Sequence, residues 1–236
     1  MKITLLTGRT FNIAKAVGID IDVVISARAR KLSLRIDTKD RIPVLTMPRF
    51  CSNRQAIDFI NNQKGWIEKQ LRAIPERRVF ANGDKIVLNG EELEIKHCPD
   101  LRCGVVIDDG FLKVSGEADF LSRRVRDFIK KQAQKYLYDL SIKKAALIGC
   151  KVKRVVIKDT SSRWGSCSSL GNINYSWRIM LAPPEVVDYL AAHEVAHLRH
   201  QDHSAKFWEC VDSLTDNAKY ARNWLSKNGS KLNEYV

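Results

Sequence analysis

Pro183-Pro184-Glu185-Val186-Val187-Asp188-Tyr189-Leu190-Ala191-Ala192-His193-Glu194-Val195-Ala196-His197 is the stretch from which the rest of this chain is read. The two prolines favour a helix start, and Glu185 and Asp188 fall in its first turn, against the positive end of the helix dipole. At roughly 100° per residue, Val187, Ala191, Val195 and Leu198 form an apolar stripe nearly opposite His193 and His197. The expectation is a helix with one face in the core and the other carrying chemistry. Its two imidazoles, four residues apart, project about 6 Å apart along the axis, close enough to hold one ion. Zinc suits imidazole donors. A bare H-E-x-x-H arises by chance often enough to mean little, but here helix phase, a clean proline start and downstream histidines accompany it.

A tetrahedral ion held by two on-helix histidines needs one more protein ligand and an open position. His200 shares the helical face but lies about 10 Å along the axis from His193 if the helix continues. His203 is better placed. Gln201 and Asp202 can lead the chain out of the helix, Ser204 can cap the next one, which runs through Phe207 and Trp208, and a histidine in that turn folds back over the ion. Glu194 points about 100° away from His193 and is no natural ligand. It suits a general base beside a metal-activated water, which makes the expected chemistry metal-assisted hydrolysis. His97, alone on a strand-like segment, reads as a solvated side chain.

Upstream the pattern changes. Between about Phe120 and Leu147, Val125, Phe128, Ile129, Ala133, Tyr136, Leu137 and Leu140 predict a long amphipathic helix that Gly149 ends. The preceding half reads as strands interrupted by one helix. A basic hairpin is expected from Val23 to Ile36 and Ile42 to Met47, a helix from Arg54 to Leu71 closed by Pro75, and short strands at Lys85 to Leu88, Glu92 to Ile95, Val105 to Ile107 and Phe111 to Val114. Asn89-Gly90 and Asp108-Asp109-Gly110 mark turns among them. After the long helix, strands are expected at Val152 to Ile157, Ser162 to Ser168 and Ile173 to Met180. The fold class is therefore α+β: a β-rich N-terminal part over 1–118 with one helix, and a second part over 119–236 carrying the histidines.

The 236 residues carry 40 Lys+Arg against 27 Asp+Glu, a net charge of +13, with 44% hydrophobic residues, enough for a real core. No apolar run approaches a membrane span, and Met1 to Arg9 does not read as a signal peptide. Six scattered cysteines without a C-x-x-C pair suit a reducing, cytoplasmic setting. Cys98 and Cys103 have half the spacing of a zinc knuckle without its second pair.

The downstream half resembles the YgjP-like metallopeptidases. The resemblance rests on Trp164-Gly165-Ser166-Cys167-Ser168, Asn172-Ile173-Asn174, Trp177-Arg178, Ala182-Pro183, Val187-Asp188-Tyr189, the His-Glu motif, His203-Ser204 and Phe207-Trp208, in that order. The basic segment Ser26 to Ile36 and the Phe59 to Trp66 helix are similar to the family's N-terminal portion. The family is similar to SprT-type and Spartan-type zinc proteases, so the resemblance implies a small zincin-like fold, its zinc-binding helix packed against a short sheet. It implies Zn2+ on His193, His197 and His203, with Glu194 catalytic. The spacing to His203 also resembles that of the metzincins, but His200 stands where they have glycine.

Trp164 and Trp177 read as packing residues, or as part of a hairpin that presents an edge strand to a peptide, with Ser166, Asn174 or Arg178 available to an oxyanion. Between Leu121 and Lys158, twelve basic residues face Asp127 and Asp139, a local excess of 12 − 2 = +10. Such a run is usually a solvated face, yet it can attract nucleic acid or nucleotides. The expected function is a cytosolic zinc peptidase acting on a peptide or protein. The alternatives are a metal-dependent nucleotide phosphoanhydride hydrolase, or a nucleic-acid-associated protein whose zinc is structural. Glu194 argues against a structural site, which needs no base, and the lack of a glycine-rich phosphate cradle favours the peptidase.

Overall fold

In the computed structural model, which describes residues 8–37, 40–74, 76–102, 104–160 and 163–235, the chain divides into two compact units, Met1–Pro75 and Glu76–Val236. Met1 to Thr7, the hairpin turn at Thr38 and Lys39, the closing Pro75, Cys103 and the strand start at Ser162 lie outside the described residues. The architecture is α+β.

The first unit contains α1 (Gly8–Val17), β1 (Asp22–Ser26), β2 (Ser33–Asp37), β3 (Ile42–Pro48), α2 (Asn53–Asn62) and α3 (Lys64–Ala73). The sheet order is β1-β3-β2, with β3 antiparallel to β2, as the hairpin requires, and parallel to β1. The single run expected from Val23 to Ile36 is two strands, because the basic segment between them pairs with neither neighbour. The helix expected from Arg54 to Leu71 is likewise two helices, broken at Gln63. Ser52 starts the first with a reciprocal cap: its hydroxyl accepts from the Gln55 amide (3.2 Å) and the Gln55 side chain accepts from the Ser52 amide (2.9 Å). Helix α1 is an addition to the sequence reading. Ile13 and Val17 on it join Val23, Leu45, Met47, Ile60 and Ile67 in a separate core.

The second unit contains β4 (Lys85–Leu88), β5 (Glu91–His97), β6 (Val105–Asp108), β7 (Phe111–Val114), α4 (Leu121–Leu147), β8 (Arg154–Lys158), β9 (Gly165–Cys167), β10 (Asn172–Ser176), α5 (Pro184–Ala196), α6 (Ala205–Leu214) and α7 (Ala218–Asn228). The turns read from sequence have the expected geometry: Asn89 and Gly90, and Asp109 and Gly110, all have positive φ, which suits Asn-Gly and Asp-Gly. Their hairpins form one sheet in the order β4-β5-β7-β6. Gly149, at φ 64°, ends α4 as expected. The Cys150 amide donates to the Ala145 carbonyl and the Gly149 amide to the Ala146 carbonyl, as in a Schellman cap.

A boundary at 118/119 would fall inside this unit. Leu93, Ile95, Leu112 and Val114 of the four-stranded sheet share one buried cluster with Val125, Ile129, Ala133 and Leu137 of α4, and with Val186 and Val187 of α5. Removing the sheet would expose the apolar side of α4, so sheet and helix form one core. The β4–β5 turn also anchors α5. The Asn89 amide donates to the Met180 carbonyl, and a Cβ on Gly90 would lie 2.6 Å from Pro184 Cγ at the helix start.

Helix α5 departs from the two-faced reading. Val186, Val187, Tyr189, Leu190, Ala191, Ala192, Glu194, Val195 and Ala196 are all buried, so apolar contact surrounds most of it. Among its neighbours is Lys144 of α4, only 8% exposed, whose Nζ lies 2.6 Å from Asp188 Oδ1 and donates to the Leu214 carbonyl at 2.7 Å. Asp188 Oδ2 in turn accepts from the Thr215 hydroxyl (2.6 Å). This pairing satisfies a buried ammonium and ties α4 and α5 to the end of α6.

Candidate metal centre and its edge strand

The candidate metal centre is built by the end of α5 and the turn after it. The helix closes with His197 at its C-cap, the chain turns through 198–203, and Ser204 stands at the N-cap of α6 as expected, though without a side-chain cap bond. This turn brings His203 back over the helix. One donor nitrogen from each of His193, His197 and His203 lies within 4.8 Å of the others. His193 Nε2 and His203 Nε2 are 3.3 Å apart. Two nitrogens held about 2.05 Å from one tetrahedral ion would be separated by about 3.3 Å, so this pair is spaced for zinc.

Neighbouring groups hold the rings in place. His197 Nδ1 lies 2.9 Å from the His200 carbonyl, which fixes Nδ1 as the donor and leaves Nε2 as the free acceptor. His200 thus enters the site through its backbone, while its own imidazole is outside the donor cluster. Phe207, fully buried on α6, lies beneath all three imidazoles, with centroid separations of 5.0, 4.5 and 4.7 Å to His193, His197 and His203. Burial, and then the nearby His197 and His203, push the His193 imidazole down to about 4; burial also lowers His197. Both shifts favour the neutral imidazole, the form that can hold a metal. Donor spacing, donor type and protonation all fit zinc.

Glu194 is buried beside this cluster. Its Oε2 has no hydrogen-bond partner among the described residues, and burial raises its carboxyl to about 8 against the opposing pull of Arg163. Strand β9 faces it closely. A Cβ on Gly165 would lie 2.4 Å from Glu194 Oε1 and 2.7 Å from its Cδ, so only glycine leaves the carboxylate its present position. Strand β9 is the edge of the order β8-β10-β9. Helix α5 is thus packed against a short sheet whose edge strand faces Glu194.

The oxyanion candidates separate on inspection. Ser166 pairs across the ladder with Asn174, whose Nδ2 donates to the Ser166 hydroxyl at 3.3 Å. Side chains alternate along a strand, so both lie on the face of the sheet away from Glu194. Arg178 is buried and committed elsewhere: it pairs with Asp159 and donates from Nε and Nη2 to the Tyr235 carbonyl at 3.1 and 2.9 Å. Trp177 is a core residue that donates to Asp159 (3.1 Å), and Trp164 packs on Gly229. His97 is bonded rather than freely solvated, its Nε2 lying 2.6 Å from the Gly116 carbonyl.

Burial pushes the Asp159 carboxyl up, but bonds from Arg178 and Trp177 outweigh it and leave the group below the ordinary carboxylate range. A depressed native value stabilises the fold above the unfolded pKa of about 3.9, and that contribution is lost as pH falls through the native value. Asp159→Asn should therefore lower Tm at pH 7 and differ progressively less from wild type below about pH 4. Equal Tm differences at pH 7 and at about pH 2.5 would refute this role.

The basic run is partly consumed by the fold. Lys144 is buried and paired, Lys130 lies 3.8 Å from Asp159, and Arg124 covers Gly116. Eight of the twelve cations remain exposed: Arg123, Lys131, Lys135, Lys143, Lys151, Lys153, Arg154 and Lys158. Among the described residues, no helix is long and apolar enough to cross a membrane.

Comparison with known proteins adds two similarities. A family model described as the YgjP-like, metallopeptidase domain matches residues 30–228. The crystal structure of the metallopeptidase zymogen of Pyrococcus abyssi abylysin matches with 23% identity and a TM-score of 0.35, covering 39% of this chain and 93% of that one. No curated protein matches.

Proposed function

The chain belongs to the YgjP-like metallopeptidase family, and we propose that it is a zinc peptidase in which His193, His197 and His203 hold the metal and Glu194 is the catalytic carboxylate. The observation that carries this reading is the buried, unpartnered Glu194 Oε2 beside three imidazole nitrogens within 4.8 Å of one another. When bound, zinc supplies Lewis acidity that acidifies water and polarises a carbonyl.

The chain's own residues do the rest. An extended peptide adds to the outer edge of β9, where the backbone amides and carbonyls of Gly165 and Cys167, which alternate with those facing β10, hold it in register and bring its scissile bond past Glu194. Glu194 accepts the proton of the attacking water at a carboxylate oxygen and returns it to the leaving amine. Gly165 keeps that carboxylate free to do both. Phe207 excludes water from beneath the imidazoles and fixes their planes.

A reducing, cytoplasmic setting belongs to the same reading, supported by the thiols of Cys98, Cys150, Cys167 and Cys210. A nucleic-acid or nucleotide partner is the lesser reading, since four of the twelve basic side chains are drawn into the fold. The test is metal removal and return. The chelator-treated chain should lose peptide cleavage, and about one equivalent of zinc should restore it. Cleavage that survives complete chelation, measured beside elemental zinc, would overturn the assignment.

A further inference from the structure

A cavity of about 290 Å³ opens at strand β9, lined by Lys158, Thr160, Arg163, Gly165, Ser166, Asn174 and Tyr175, with Ser166 and Asn174 on the face away from Glu194. It shares Gly165 with the catalytic centre. It holds two cations and no acidic side chain, and among the described residues neither Lys158 nor Arg163 makes an ion pair. Ser166 and Asn174 add a hydroxyl and an amide beside them.

Sheet register explains why these groups converge. Ser166 pairs with Asn174, Asn174 pairs with Val156, and Lys158 lies two residues further along β8, on the same face. Arg163 reaches this cavity from just before β9 and stands near enough to Glu194 to pull its carboxyl down. A peptide added to the β9 edge continues the pleat, so every second side chain falls on this face, beside Ser166 and its neighbours. An Asp or Glu there would meet Lys158 and Arg163 with opposite charge and accept the polar hydrogens of Ser166 and Asn174.

We propose that this cavity is a specificity subsite for an acidic side chain of the peptide, with Lys158 and Arg163 as its charge-reading residues and Ser166 and Asn174 as its hydrogen-bonding ones. The proposal rests on the peptidase reading. It extends that reading by naming the substrate class as peptides with an Asp or Glu near the scissile bond, its side chain on the outer face of the augmented sheet.

The experiment uses the full chain and a set of internally quenched peptides of neutral sequence, each carrying Glu, Gln or Lys at one position at a time. In the zinc-loaded wild type, kcat/KM at one position should favour Glu over Gln by about three- to tenfold at low salt, falling as salt is raised. The Lys158→Glu/Arg163→Glu double variant should reverse the order, so that Lys is preferred over Glu at the same position. A Glu-to-Gln ratio near one at every position, or a ratio the double variant leaves unchanged, overturns the subsite.

A second arm measures binding of the same peptides to zinc-loaded Glu194→Gln by fluorescence anisotropy, so the ratio is read without turnover. If binding keeps the acidic preference while wild type cleaves nothing, the peptidase reading fails and the subsite stands. A short duplex DNA serves as competitor. If it binds through Lys158 and Arg163 while the Glu-to-Gln ratio stays near one, the cavity is a phosphate contact and the proposal is wrong.

Discussion

Glu194→Gln should lower peptide turnover by about 10²–10⁴-fold, the range that a positioned general base supplies, while zinc stays bound at the wild-type ratio. Glutamine keeps the volume and one oxygen acceptor, so the packing of α5 survives, but its amide cannot take up a proton. Burial alone raises the Glu194 carboxyl, and the positive charge of a bound zinc ion would favour the ionised carboxylate that a base requires. The measurement pairs elemental analysis with kcat/KM on one peptide. His193→Ala and His203→Ala provide the contrast, because each removes an imidazole from the donor cluster and should lose zinc together with activity. Full activity in Glu194→Gln would remove it from the mechanism; loss of zinc would make it a ligand.

The second large effect lies outside the histidine motif. Gly165→Ala places a methyl 2.4 Å from Glu194 Oε1, far inside van der Waals contact. The carboxylate is the flexible end of its side chain, so it moves by about an ångström, and a displacement of that size costs about a hundredfold in rate. Overpacking at this position should cost the fold only about 1–3 kcal/mol. The expected result is a folded, zinc-replete protein with turnover near one per cent of wild type. A Gly165→Ala chain with wild-type kcat would show that Glu194 has room its packing denies it.

Much of the candidate site was legible in the sequence because it is local. Four-residue spacing puts two imidazoles on one helical face whatever surrounds the helix, and Asp202-His203-Ser204 predicts the turn that returns the third. Asn-Gly and Asp-Gly turns marked the β4–β5 and β6–β7 hairpins for the same reason. Distance along the helix axis already favoured His203 over His200, and resemblance to a family implied the same three ligands. Helix α1 was missed because nothing in its short, polar-interrupted sequence distinguishes it from the strands that follow; its Ile13 and Val17 gain their place only from the core they enter.

By itself, then, the sequence determined an α+β chain, a helix carrying His193, Glu194 and His197, and a third histidine in the turn after it. Tertiary structure decided what surrounds them. It buried α5 on nearly every side, pressed Gly165 against Glu194, set Phe207 under three imidazoles, drew Lys144 out of the basic run onto a carbonyl 70 residues away, and gathered Lys158 and Arg163 into one cavity. Helical and turn periodicities act over a few residues and can be read from spacing. Burial, desolvation and the pairing of distant charges depend on which surfaces meet, and only the folded chain brings those surfaces together.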